Sequence, residues 1–338
     1  MSKWKTAAVL GVLLGLVLLL NLAGRWGNSQ SRRYNEGEQE KNDRHMVFIV
    51  TGNGVRSHVA GVAHAASPDQ YPLRGDLLAA FDESAVLVTE RDLRQPVPQP
   101  VQSESFERHV SPETVERVRG LARVYGLEYG RLRGWDAMAV AGAFRYTVLE
   151  REGYSMEYGL DTYFTHRAAA GGKPIQEAEG LALSKEISNR INRECGEEAL
   201  ALIPEDPEKV LEEFRTMESL LREGNAEKAG RIVEAEASKG TRLAEIYWLE
   251  RNRNMTERIE GYLEQGKSCF IVIGAGHVLG KGGILDLLEK KGWKVEQMEG
   301  AEEFFRDEAK VQAGSMRRRN QGIEYVDRER YHLFRKKG

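Results

Sequence analysis

The chain opens on a run of apolar residues from 7 to 24, broken only by Asn21, and passes at Ser29 into a polar stretch with no apolar period. The apolar run has no polar face, and eighteen helical residues rise about 27 Å, close to the hydrocarbon thickness of a bilayer. Residues 1–28 are therefore read as a membrane anchor, with a cleaved signal as the competing reading. Asn21 fits a small-x-small cleavage site poorly, with Ala23 as its last residue. Residues 29–45 read as a polar linker.

From residue 46 the pattern changes to short apolar runs alternating with helical stretches. Met46 to Thr51 and Val55 to Ala63 are β-rich and meet across Asn53-Gly54, which predicts a hairpin. Further strands are predicted at 85–89, 173–178, 269–273 and 291–296. The fifth of the six, Cys269 to Ile273, is apolar throughout and so buried on both faces. Ser111-Pro112 and Asp206-Pro207 are start signals for helices at 113–125 and 208–222. Helical patterns also cover 133–151, 181–193, 226–238, 243–264 and 284–290. Strands at both ends and helices in the middle predict an α/β (α+β) domain over 46–300. Its central mixed sheet is flanked by helices and carries a large helical insertion. Residues 301–338 form a charged tail rich in arginine, read as solvated, with contact to anionic headgroups as the other option.

Composition narrows the functional classes. The 338 residues are 41% hydrophobic and 30% charged, a globular balance, and the net charge of −3 gives no electrostatic reason to expect nucleic-acid binding. Two cysteines exclude a disulfide framework or a cysteine-rich zinc module. No His-Glu-x-x-His, Walker, Rossmann or Gly-x-Ser-x-Gly pattern occurs. Gly280-Lys-Gly-Gly283 opens a helix, where a tight turn and an anion site are both open readings.

Two segments, Gly61-Val-Ala-His64 and Gly274-Ala-Gly-His277, each place a histidine just after a strand. Chance alone gives about 0.7 such pairs in this length, so the argument rests on position: open sheets bind ligands at the carboxyl ends of their strands. Glu90 and Glu179 follow two other strands. Two imidazoles with one or two carboxylates are a ligand set for Mn²⁺, Zn²⁺ or Co²⁺, and a bound metal would turn water into a nucleophile. The other reading is four unrelated polar residues satisfied by backbone groups.

The ordered series of motifs resembles the TraB/GumN family, relatives of the Tiki membrane-anchored proteases in the wider erythromycin-esterase and ChaN-like group. It runs from Phe48-Ile-Val-Thr and Gly61-Val-Ala-His64 through Leu87-Val-Thr-Glu90, Gly159-Leu-Asp161 and Gly172-Lys-Pro-Ile-Gln-Glu-Ala-Glu179. It ends with Glu250-Arg251-Asn252 and Ile273-Gly-Ala-Gly-His277, covering roughly 46–297. The resemblance implies Mn²⁺- or Co²⁺-dependent cleavage of peptide bonds, which with the donor set (Mn²⁺, Co²⁺ or Zn²⁺) predicts a metal-dependent hydrolase of peptide or amide bonds. The short flank before the anchor, which usually stays in the cytoplasm, places its body outside. His64, His277 and Glu90 become the implied metal ligands, with Glu90, Glu179, Arg251 and Asn252 as catalytic candidates. Arg251 would hold a carboxylate or oxyanion, or make a structural ion pair on a long helix; Asp161 is explained equally by capping or turn formation. The implied partners are the membrane and a peptide or small-molecule substrate. A non-catalytic anchored binding protein and a metal-free esterase with His64 as base are the alternatives.

Overall fold

The computed structural model describes residues 44–94 and 104–298. The anchor, most of the linker and the arginine-rich tail lie outside the described residues, among which no helix is long and apolar enough to cross a membrane.

Strands β1 (Val47–Gly52) and β2 (Val55–Val62) form the predicted hairpin, with Gly52 paired to Val55. Asn53 and Gly54 both take positive φ, 51° and 75°, as a two-residue turn matched to strand twist requires. Four more strands complete a mixed sheet in the order β4-β3-β5-β2-β1-β6: β3 (Val86–Thr89), β4 (Ile175–Glu177), β5 (Cys269–Gly274) and β6 (Lys294–Gln297). β4, β3, β5 and β2 are parallel to one another, whereas β1 is antiparallel to β2 and β6. All six residues of the central strand β5 are buried, as its unbroken apolar run predicts.

Helix α1 (Gly75–Glu83) joins β2 to β3. The next crossing holds α2 (Pro112–Val124), α3 (Tyr129–Leu132), α4 (Ala137–Arg151) and α5 (Leu160–Gly171). Between β4 and β5 come α6 (Leu181–Ala201), α7 (Pro207–Arg222), α8 (Ala226–Ala237) and α9 (Arg242–Ala244). A π-helical turn (Glu245–Glu250) then runs without a break into α10 (Arg251–Glu264). Beyond β5 lie α11 (Ala275–Val278) and α12 (Ile284–Lys290). The helical excursion is thus divided between two crossings.

Caps set several starts: Ser111 accepts from the Thr114 N–H, Asp136 from Ala139 and Asp206 from Glu208. The Asp136 cap divides the predicted 133–151 helix, whose pattern hides the break because α4 buries twelve of its fifteen residues and has no polar face. Helices α1 and α5 carry no side-chain cap, which removes the start signal a sequence reading relies on. The Gly280–Gly283 segment is a tight turn, with the Gly283 N–H bonded to the Gly280 carbonyl and Asp286 accepting from the Gly282 N–H. The four parallel strands end on one edge, and that edge positions the candidate residues.

Candidate functional site

His64 lies two residues past β2, Glu90 directly follows β3, Glu179 lies two past β4 and His277 three past β5. The parallel sheet therefore brings all four together, and α10 adds Arg251 and Asn252. His64, Glu90 and His277 line one cavity of about 690 Å³, including its mouth.

Two glycines make the close approaches. A Cβ built on Gly274 would stand 2.4 Å from His64 Nε2 and 3.1 Å from Glu90 Oε1, so the second Gly-x-x-His segment needs glycine for room. Its N–H donates to Glu90 Oε1 at 2.8 Å. Gly61 of the first segment meets only ordinary contacts. The two segments are equivalent in spacing and unlike in what their glycines do. A Cβ on Gly159 would stand 2.1 Å from the His64 carbonyl oxygen, so this glycine lets the start of α5 reach the strand end. Asp161 then sets Oδ2 2.8 Å from His64 Nδ1. Asp161 also accepts from the Thr162 N–H, a local contact at the start of α5 that stands beside the one with His64. The sequence reading missed the pairing with His64 because 97 residues separate the two.

His64 stands between two carboxylates, with Nε2 3.4 Å from Glu90 Oε1. Burial works to lower its pKa, but the charges and hydrogen bonds of Asp161 and Glu90 carry it up to about 9. Burial would raise Glu90, yet the charge and hydrogen bond of His64, with Arg251 nearby, hold it well below the usual carboxylate range. At neutral pH the pair is an imidazolium and a carboxylate.

His277 is the opposite case. Arg251 Nη1 donates to its Nε2 at 2.8 Å, so Nδ1 carries the proton and donates to Asn252 Oδ1 at 2.7 Å. Asn252 is itself oriented by donating from Nδ2 to the Gly282 carbonyl. Burial first, and then the Arg251 charge, push the His277 pKa well down, leaving a neutral ring. Arg251 is fully buried and grips Glu179 through Nε at 2.5 Å and Nη2 at 3.0 Å. It passes 3.5 Å from Glu90 Oε2, with its guanidinium carbon 4.8 Å from the Tyr247 ring centre. Arg251 does not line the cavity. It places Glu179 and His277 and is not positioned to touch substrate, so the ion-pair reading fits it better than the oxyanion one. Tyr247 and Trp248, on the π turn, pack their rings 5.7 and 5.2 Å from that of His277. Neither was legible beforehand, since aromatic residues on a helix read as core.

The donor types suit a divalent metal, but their placement does not. Among the described residues no group of three or more His, Cys, Asp or Glu side chains stands where one ion could be held. The physical reason is Arg251, whose N–H takes the His277 Nε2 lone pair that a metal would need.

His64 gives the stability curve a sign. Its folded pKa, about 9, exceeds the unfolded 6.5. The stabilisation is therefore complete below about pH 6.5 and is lost as pH rises through 9, at most ~3 kcal/mol. Melting temperature is expected to fall between pH 7 and 9.5 in the wild type and distinctly less in His64→Gln. Parallel curves for the two proteins would refute the assignment.

The family model described as TraB/PrgY/gumN family matches residues 46–297. The chain matches no curated protein and no solved structure.

Proposed function

The chain belongs to the TraB/PrgY/gumN family, and from that premise we propose that it hydrolyses peptide or amide bonds through the acid–base chemistry of its own side chains. One observation carries the reading: the Asp161–His64–Glu90 row opens into a cavity at the carboxyl ends of parallel strands. Its electrostatics divide the labour. Glu90, ionised, takes a proton from the attacking water as oxygen bonds to the carbonyl carbon. His64, protonated, gives its Nε2 proton to the leaving nitrogen as the carbon–nitrogen bond breaks. Glu90 then returns its proton to His64 across the 3.4 Å gap, restoring both. The same electrostatics make His64 an acid and not the base of the esterase alternative. Asp161, Arg251 and Asn252 are positioning residues that keep two rings and two carboxylates in these states.

A second reading, the metal-dependent hydrolase, is favoured by a separate observation. Both histidines have Nδ1 engaged by an oxygen, which is how metal-ligating imidazoles are oriented. As placed, however, His277 Nε2 belongs to Arg251, so no step is assigned to a metal. Calorimetric titration of Mn²⁺ and of Zn²⁺ separates the two: the wild type is expected to bind neither stoichiometrically, and activity is expected to survive chelation. Stoichiometric binding that disappears in His64→Ala would establish the metal-dependent reading instead.

The apolar run at 7–24 supports placing the reaction at the cell membrane, with the body outside the cytoplasm. A peptide library presented to the full-length protein tests the activity itself. Cleavage products that vanish in Glu90→Gln support hydrolysis, whereas retained peptide without turnover supports the non-catalytic binding protein.

A further inference from the structure

The cavity extends beyond His64, Glu90 and His277 along α4 and α7, where Leu149, Val210, Phe214 and Met217 line it. Arg145 on α4 brings a charged group to this apolar wall, and Tyr146 on α4 and Trp248 on the π turn bring neutral polar ones. Tyr146 and Trp248 are both more than nine-tenths buried, at 7% and 1% exposure. The Tyr146 hydroxyl and Trp248 Nε1 are buried and have no hydrogen-bond partner among the described residues.

A buried donor left unpaired costs about 1–3 kcal/mol, and for Tyr146 the same shape is available without the cost as phenylalanine. The indole N–H can only donate, so the missing group is an acceptor. Arg145 faces Glu213, 3.4 Å from its Nη1, and the Leu202 carbonyl, 3.4 Å from its Nη2, and burial pushes the Glu213 pKa up to about 7. The two unpaired atoms themselves are neutral, and a neutral oxygen pairs with them without the counter-charge that a buried carboxylate needs.

We propose that this part of the cavity binds a peptide residue with a large apolar side chain, holding its neutral backbone carbonyl with Tyr146 Oη and Trp248 Nε1. The side chain would fill the space among Leu149, Val210, Phe214 and Met217. The inference deepens the hydrolase reading by naming the residue class presented to His64 and Glu90. Trp248 also packs on His277, which ties occupancy of the pocket to the ring held by Arg251 and Asn252.

The test is a binding measurement on the full-length protein with N-acetyl-L-leucinamide as probe. The Trp248 indole N–H resonance, one of five in the protein, is identified by its loss in Trp248→Phe. It is expected to move downfield as probe is added. Affinity is expected to fall at least fivefold in Tyr146→Phe and in Trp248→Phe. Tyr146→Phe removes an unpaired hydroxyl, so its melting temperature is expected to be unchanged or higher, which keeps the variant informative. N-acetylglycinamide is expected to bind more weakly. The proposal is overturned by an unmoved resonance, by no detectable binding, or by affinity unchanged in both variants. Tighter binding of the acid N-acetyl-L-leucine, or equal binding of the glycine probe, overturns it as well. Because the readout needs no turnover, it is independent of the hydrolase reading. Probe bound through these donors without cleavage of any peptide would remove the hydrolase and keep the pocket. Cleavage indifferent to both substitutions would do the reverse.

Discussion

Arg251→Leu is expected to destabilise the protein by about 3–5 kcal/mol, read as a lower urea midpoint, because it strands charges that have no access to water. Glu179 loses its bidentate partner, and both residues are at most 1% exposed at their side chains. His277 Nε2 loses its donor and Glu90 a neighbouring cation. The double variant Arg251→Leu/Glu179→Leu is expected to regain most of that stability, since a buried ion pair exchanged for apolar side chains of similar volume is often neutral. Activity should stay lost in the double variant, because His277 remains without the N–H that holds its ring. A double variant as unstable as the single one would show that the pair itself is not what Arg251 contributes.

The largest effect on rate belongs to His64 and Glu90. His64→Gln and Glu90→Gln are each expected to lower kcat by about 10²–10⁴, the range for removing a positioned acid or base. Their combination should cost far less than the product of the two, since each depends on the other for its protonation state. The pH profile adds a signature, separated from unfolding by following the melting temperature at the same pH values. Wild-type activity is expected to persist until His64 loses its proton near pH 9 and to decline above it. Asp161→Asn removes a charge that raises the His64 pKa, so the alkaline limb should move to lower pH. A limb that stays in place would exclude His64 as the acid.

Much of the scaffold was legible because local chemistry dictates it. Asn53-Gly54 specifies the hairpin, the apolar run at 269–273 specifies a buried strand, and Ser111-Pro112 and Asp206-Pro207 start the helices they predict. The strand ends bearing His64, Glu90, Glu179 and His277 were legible too, and the parallel pairing of β2, β5, β3 and β4 brings them onto one edge. The network joining them was not legible. Arg251 meets Glu179 across 72 residues and His277 across 26, separations that no spacing rule covers. Helix α5 was missed for a related reason. It begins at Gly159 without a side-chain cap, and its first carboxylate, Asp161, reaches across to His64. The charge that ties the site together is the one that would have announced the helix.

The π turn at Glu245–Glu250 makes the aromatic cover of His277 depend on chain length as well as on chemistry. Wide turns of this kind hold more residues than an α-helical turn, and this one leads directly into Arg251 and Asn252. Losing one residue there would let the segment close into ordinary α-helix with everything beyond it almost in its former phase, because the wide turn absorbs the extra residue. Arg251 and Asn252 would keep Glu179 and His277, and the change would fall on Tyr247 and Trp248, whose rings the turn sets against His277. Among relatives of this chain, a deletion of one residue in this turn would mark those that kept the Arg251 network and gave up the aromatic cover of His277.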